Sequence, residues 1–153
     1  MEMESADLMG KLNKDGVYTV PAEMLQKIQS EFWAAYCDDA RADEIMGRVY
    51  TEKGYLCDPH TASGWAAAED YIAETGDSRP MVVLSTASPY KFPVAVLTAL
   101  GGDTSGTEFE QMERLSAMTG VAIPKNLSGL QGKEEKHTGV IEKEKMLEYV
   151  LNL

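Results

Sequence analysis

Three hydroxyl side chains, Ser85, Thr86 and Ser88, fall within four residues directly after the apolar run Met81-Val82-Val83-Leu84. Lys91 follows three positions later. Hydroxyls donate and accept hydrogen bonds without carrying charge, so such a cluster can orient a polar small molecule. The apolar run predicts a strand over Met81–Ser85 buried on both faces. In open α/β sheets ligands bind beyond the carboxyl ends of strands, which is where these hydroxyls would lie. Ser88 also suits a helix N-cap, with Pro89 at the first helical position. Pro93 removes a further amide, so one turn at Pro89–Lys91 is expected, then a helix from Pro93. Lys91 would sit near a helix N-terminus, where the dipole disfavours a cation. It is therefore expected to face an anion or an acidic side chain. The competing reading is local: Thr86 and Ser88 satisfy turn backbone, the commoner role of such residues.

Other reactive side chains carry less. Asp58 and His60 open a helix through Asp58-Pro59, and capping with packing is favoured over a place near a substrate. Cys37 and Cys57 lack metal-ligand spacing and read as buried free thiols in a reducing cytosol. With only two histidines, His60 and His137, no metal site is expected. His137 is assigned no role. Trp33 and Trp65 read as core or interface residues.

The elements that would position these groups are mostly helical. A short helix is predicted over residues 4–14, ending near Gly16. A second runs from Pro21 to about Asp38, with Met24, Ile28, Phe32 and Tyr36 along one face. A third follows Asp38-Asp39, buries Ile45, Met46, Val49 and Tyr50, and stops near Gly54. Tyr55-Leu56-Cys57 reads as a brief strand. The helix from Asp58-Pro59 runs to about Thr75, with Gly76 as its cap and small residues through TASGWAAA. The helix after the Pro89 turn reaches Gly101-Gly102. Thr107 and Glu110 form a capping box for a helix ending at Gly120. Residues 121–139 are irregular, and 140–152 form a last amphipathic helix. The whole predicts one domain over 1–153 of α/β class: helix-rich, with a small, incomplete parallel sheet packed by helices.

Composition bounds the function. The chain has 153 residues and 44% apolar content, enough for one folded core. Lys and Arg total 14 against 25 Asp and Glu, a net charge of −11. Such a surface repels phosphate backbones and anionic lipid, so neither nucleic acid nor membrane is an expected partner. No apolar run approaches the roughly 20 residues that span a bilayer. The acidic start MEMESADLMG lacks the basic region of a signal peptide, so a cytoplasmic location is expected.

Ser85–Pro93, STASPYKFP, resembles a strand–turn–helix of the threonine synthases, which often carry His where this chain has Ser88. Gly54–Ala62, GYLCDPHTA, matches a second stretch of the same family, and Ile123–Leu130, IPKNLSGL, followed by His137, resembles its C-terminal end. The resemblance implies a fold-type II pyridoxal-phosphate enzyme converting O-phosphohomoserine and water to threonine and phosphate, a carbon–oxygen lyase acting on a phosphate ester. It implies three parts: a Schiff-base lysine, a Gly-rich loop for the cofactor phosphate and a hydroxyl for the pyridine nitrogen. By motif position Thr86 resembles that hydroxyl, with Ser85 as the fallback for cofactor binding. Ser88 and Lys91 are the substrate-side candidates.

No lysine among the ten present matches the family's reactive lysine. The expectation is therefore a C-terminal part of a longer enzyme, with no catalytic residue of its own, no bound pyridoxal phosphate and no turnover. The missing N-terminal part is its expected partner, and self-association through exposed apolar surface is expected without it. Two rival readings remain. A stand-alone small-molecule binding domain predicts a complete sheet and a closed pocket at Ser85–Ser88. A non-catalytic docking subunit predicts a large apolar face and no pocket.

Overall fold

The computed structural model describes residues 2–136 and 138–152, and side chains from Ser5 onward. His137 lies outside the described residues. Eight α-helices are described: α1 (Glu2–Asp15), α2 (Ala22–Glu31), α3 (Asp39–Lys53), α4 (Pro59–Thr75), α5 (Pro93–Ala99), α6 (Glu108–Thr119), α7 (Lys125–Ser128) and α8 (Met146–Leu151). Two single 3-10 turns join them, at Pro89–Lys91 and Lys143–Lys145.

The boundaries of α3, α4 and α6 follow from local chemistry. Asp38 accepts from the Arg41 amide, and Asp58 from the amides of His60 and Thr61. Thr107 and Glu110 exchange the reciprocal bonds of a capping box. Each of these helices ends on a glycine in the left-handed region, at Gly54, Gly76 and Gly120. A residue with a Cβ pays a steric cost there.

The core is a helical cluster. Ile45, Met46 and Val49 of α3 meet Ala62 and Ala66 of α4, Val96 and Leu97 of α5, and Leu115 of α6. The small residues of α4 let α3 approach closely. Two ion pairs then lock the same two helices: Arg41 grips both carboxylate oxygens of Asp70, and Arg48 both of Glu69.

The expected parallel sheet is absent: the described residues contain no strand, and the architecture is helical. Met81–Ser85 and Tyr55–Cys57 are irregular in conformation and unpaired. The physical reason is that a strand is completed by a neighbour. No backbone group from Met81 to Ala87 bonds to another segment among the described residues. The run read as doubly buried leaves Val82 85% and Leu84 74% exposed. Its apolar character is present in the sequence, but among the described residues Val82 and Leu84 stay largely uncovered.

Two helices are shorter than predicted. Helix α2 ends at Glu31, where Phe32 turns to extended backbone. Phe32 and Tyr36 are therefore not on its face and stand 71% and 81% exposed. At the C-terminal end only Met146–Leu151 is α-helical, and it buries no residue.

Candidate functional site

The turn from Ser85 to Phe92 is built as its spacing predicts. The Ser88 hydroxyl accepts from the Tyr90 amide, and Pro89–Lys91 form one 3-10 turn. Helix α5 begins at Pro93. Tyr90 is the anchor: its ring is buried and its hydroxyl donates to the Val121 carbonyl beyond α6. Ser88 thus has the local capping role that competed with its reading as a ligand-side residue.

The other hydroxyls differ. Tyr55 donates to the Ser85 hydroxyl across 3.0 Å. Thr86 is exposed, and its hydroxyl makes no hydrogen bond among the described residues. Of the three, Thr86 alone makes no hydrogen bond among the described residues, so its donor and both its lone pairs are open to a ligand. Lys91 is exposed and lines a cleft of about 230 Å³ with Glu108, Phe109 and Leu127. An acidic residue therefore does share its surroundings.

The second motif packs beside the first. Asp58 is fully buried, accepts from two amides at the start of α4 and from the Thr61 hydroxyl. Cys57, next to it, is 1% exposed. Burial pushes its thiol pKa up, and the adjacent Asp58 carboxylate adds to the effect. It is a poor nucleophile in consequence. The His60 ring meets the Phe92 ring edge-on at 5.0 Å. That contact and the Tyr55–Ser85 bond bring Gly54–Ala62 against Ser85–Pro93.

Tyr55 and Phe92 are the participants that the sequence reading missed. In the sequence Tyr55 reads as part of a brief strand, and no periodicity reveals that its hydroxyl reaches a residue 30 positions away. A groove of about 480 Å³ runs alongside, lined by Tyr55, Trp65, Ile72, Met81 and Val83. Among the described residues no group of three or more His, Cys, Asp or Glu could hold a metal ion.

The family model for the C-terminal region of threonine synthase matches residues 61–150. The chain belongs to the threonine synthase family. It is 30% identical over 138 residues to the threonine synthase of Pseudomonas aeruginosa, covering 86% of this chain and 28% of that enzyme. The threonine synthase of Saccharomyces cerevisiae is 33% identical over 97 residues, 60% of this chain and 19% of that one. Among solved structures, the PLP-bound threonine synthase of Brucella melitensis superposes with a TM-score of 0.59 at 34% identity. It covers 71% of this chain and 23% of that chain. The chain thus spans less than a third of the threonine synthases it matches.

Proposed function

We propose that this chain is one part of a threonine synthase that converts O-phosphohomoserine and water to threonine and phosphate. The match of the threonine synthase C-terminal model over residues 61–150 carries the reading. Its partner is the remaining part of the enzyme, which supplies the reactive lysine and the loop for the cofactor phosphate. A cytoplasmic location goes with such a biosynthetic enzyme; separately, no described helix is long and apolar enough to cross a membrane.

Pyridoxal phosphate, when bound, supplies the electron sink for chemistry at the substrate carbon skeleton. What this chain offers it is Thr86. An exposed hydroxyl with no partner among the described residues fits the ring nitrogen of that cofactor. A hydroxyl there holds the nitrogen less firmly as a cation than a carboxylate would, because it brings no negative charge. Ser85 is the fallback, but its hydroxyl already accepts from Tyr55. Ser88 and Lys91 stand on the substrate side, with Lys91 the cation for an anionic substrate group.

The chain alone neither retains the cofactor nor turns over substrate. Val82 and Leu84, left in water, are the surface through which it self-associates when its partner is missing.

The test is replacement. This chain is substituted for the aligned region of the Pseudomonas aeruginosa enzyme, and the chimera is assayed for phosphate release from O-phosphohomoserine. Activity that falls by up to about tenfold on Thr86→Val, the loss of one neutral hydrogen bond, is expected. A folded chimera that binds pyridoxal phosphate yet releases no phosphate overturns the reading. A visible absorbance band on the isolated chain after dialysis against pyridoxal phosphate overturns the claim that it cannot hold the cofactor alone.

A further inference from the structure

We infer that Tyr55 is a positioning residue for the Ser85–Thr86 edge. The inference rests on the reading above, in which Thr86 meets the cofactor ring, and it says how Thr86 is held.

The Ser85–Thr86 edge has little else to fix it. From Met81 to Ala87 no backbone group bonds to another segment among the described residues. The Thr86 side chain has no hydrogen-bond partner there either. The segment is anchored beyond the edge, where Ser88 caps the turn, Tyr90 is buried and Phe92 meets His60. Before the edge, the Val83 side chain lies over Gly64 of α4. Between these anchors, the one hydrogen bond to a distant side chain among the described residues is Tyr55 to Ser85, at 3.0 Å.

Tyr55 is well placed to hold it. It follows Gly54, which ends α3 at φ 67°. It precedes Leu56, Cys57 and Asp58, three consecutive buried residues that lead into the capped start of α4. The phenol therefore projects from a backbone pinned on both sides. A rigid ring ending in a hydroxyl is a hook of fixed length, and fixing the Ser85 hydroxyl restricts the backbone one residue from Thr86. Preorganisation of this kind removes an ordering cost that ligand binding would otherwise carry.

Backbone relaxation by NMR on the whole chain tests the tether without cofactor. Tyr55→Phe keeps the ring and removes the hook. The amide order parameters of Ser85, Thr86 and Ala87 are expected to fall from about 0.85 to below about 0.6. The urea midpoint should stay where it was, since Tyr55 is 43% exposed. Ser85→Ala should reproduce the loss, the double variant should add nothing to it, and Ser85→Thr should restore order by returning the hydroxyl. Unchanged order parameters in Tyr55→Phe, or additive losses in the double variant, overturn the tether. In the chimera, Tyr55→Phe should weaken pyridoxal phosphate binding about fivefold, the worth of one hydrogen bond. Unchanged affinity in that variant overturns the positioning role. If the unmutated chimera binds no cofactor, the threonine synthase reading fails while the order parameters still judge the tether.

Discussion

Gly47 of α3 lies against the carbonyl oxygen of Ala99 at the end of α5, so close that a Cβ at position 47 would sit 2.8 Å from it. The neighbour is backbone and cannot swing aside. Helices α3 and α5 cross there because Gly47 has no side chain, and their apolar residues meet as a result.

Gly47→Ala should therefore destabilise the fold. Overpacking of this kind costs about 1–3 kcal/mol, and the better helix propensity of Ala returns somewhat under 1. Gly64→Ala on α4 should behave differently, because its Cβ would meet only the Val83 Cγ1 methyl, at 3.3 Å. A side-chain methyl can shift by the few tenths of an ångström needed, where the Ala99 backbone cannot, so the variant should be neutral or slightly stabilised. Urea denaturation of the two variants side by side checks the contrast.

Acid should loosen the α3–α4 pair. The hydrogen bonds from Arg41 hold the Asp70 carboxyl below its ordinary value, and Arg79 does the same more strongly for Asp77. A carboxyl depressed in the folded state stabilises fully above its unfolded value, near 4. That contribution is lost as the pH falls through the lower folded value. Asp70→Asn should lower the urea midpoint at pH 7, and the gap from the parent chain should close as the pH drops below about 4. A gap constant with pH would count against the pair.

The two cysteines should react at different rates. Cys37 is half-buried, whereas Cys57 is 1% exposed with its thiol pKa raised by burial. A disulfide-exchange reagent at pH 8 should label one thiol quickly and the second only as fast as the chain unfolds. Because the folded thiol holds its proton more tightly, Cys57 also favours the folded state up to its unfolded value. That contribution declines as pH rises through the folded one. Mass spectrometry of partly labelled protein identifies the fast site.

Charging the open segment should suppress self-association. Val82→Lys with Leu84→Lys adds two cations to side chains that are 85% and 74% exposed. Sedimentation velocity should show the parent chain associating with rising concentration and the double variant remaining monomeric. Its unfolding free energy should stay within about 0.5 kcal/mol of the parent, as is usual for surface changes.

Several parts of the site were legible because they are written in neighbouring residues. Asp58-Pro59 starts α4, Thr107 and Glu110 start α6, and Ser88-Pro89 followed by Pro93 splits one turn from the next helix. Each needs only a side chain within reach of its own backbone. Helix α2 shows where that logic stops. Phe32 and Tyr36 continue its apolar period, yet among the described residues the helix buries no side chain fully, and the chain leaves it at Glu31. Periodicity records a surface that could be buried, not whether another element arrives to bury it.

The sequence by itself determined the ends of α3, α4 and α6 and, through its two motifs, the family. The tertiary structure decided what those motifs do to each other: Tyr55 reaching Ser85, His60 meeting Phe92, and Thr86 left open between anchors. It also decided against a sheet. Caps and turns are completed by residues a few positions away, so composition and spacing suffice to read them. A strand is completed by backbone from elsewhere, and the apolar run Met81–Leu84 carries the demand for such a neighbour without containing one.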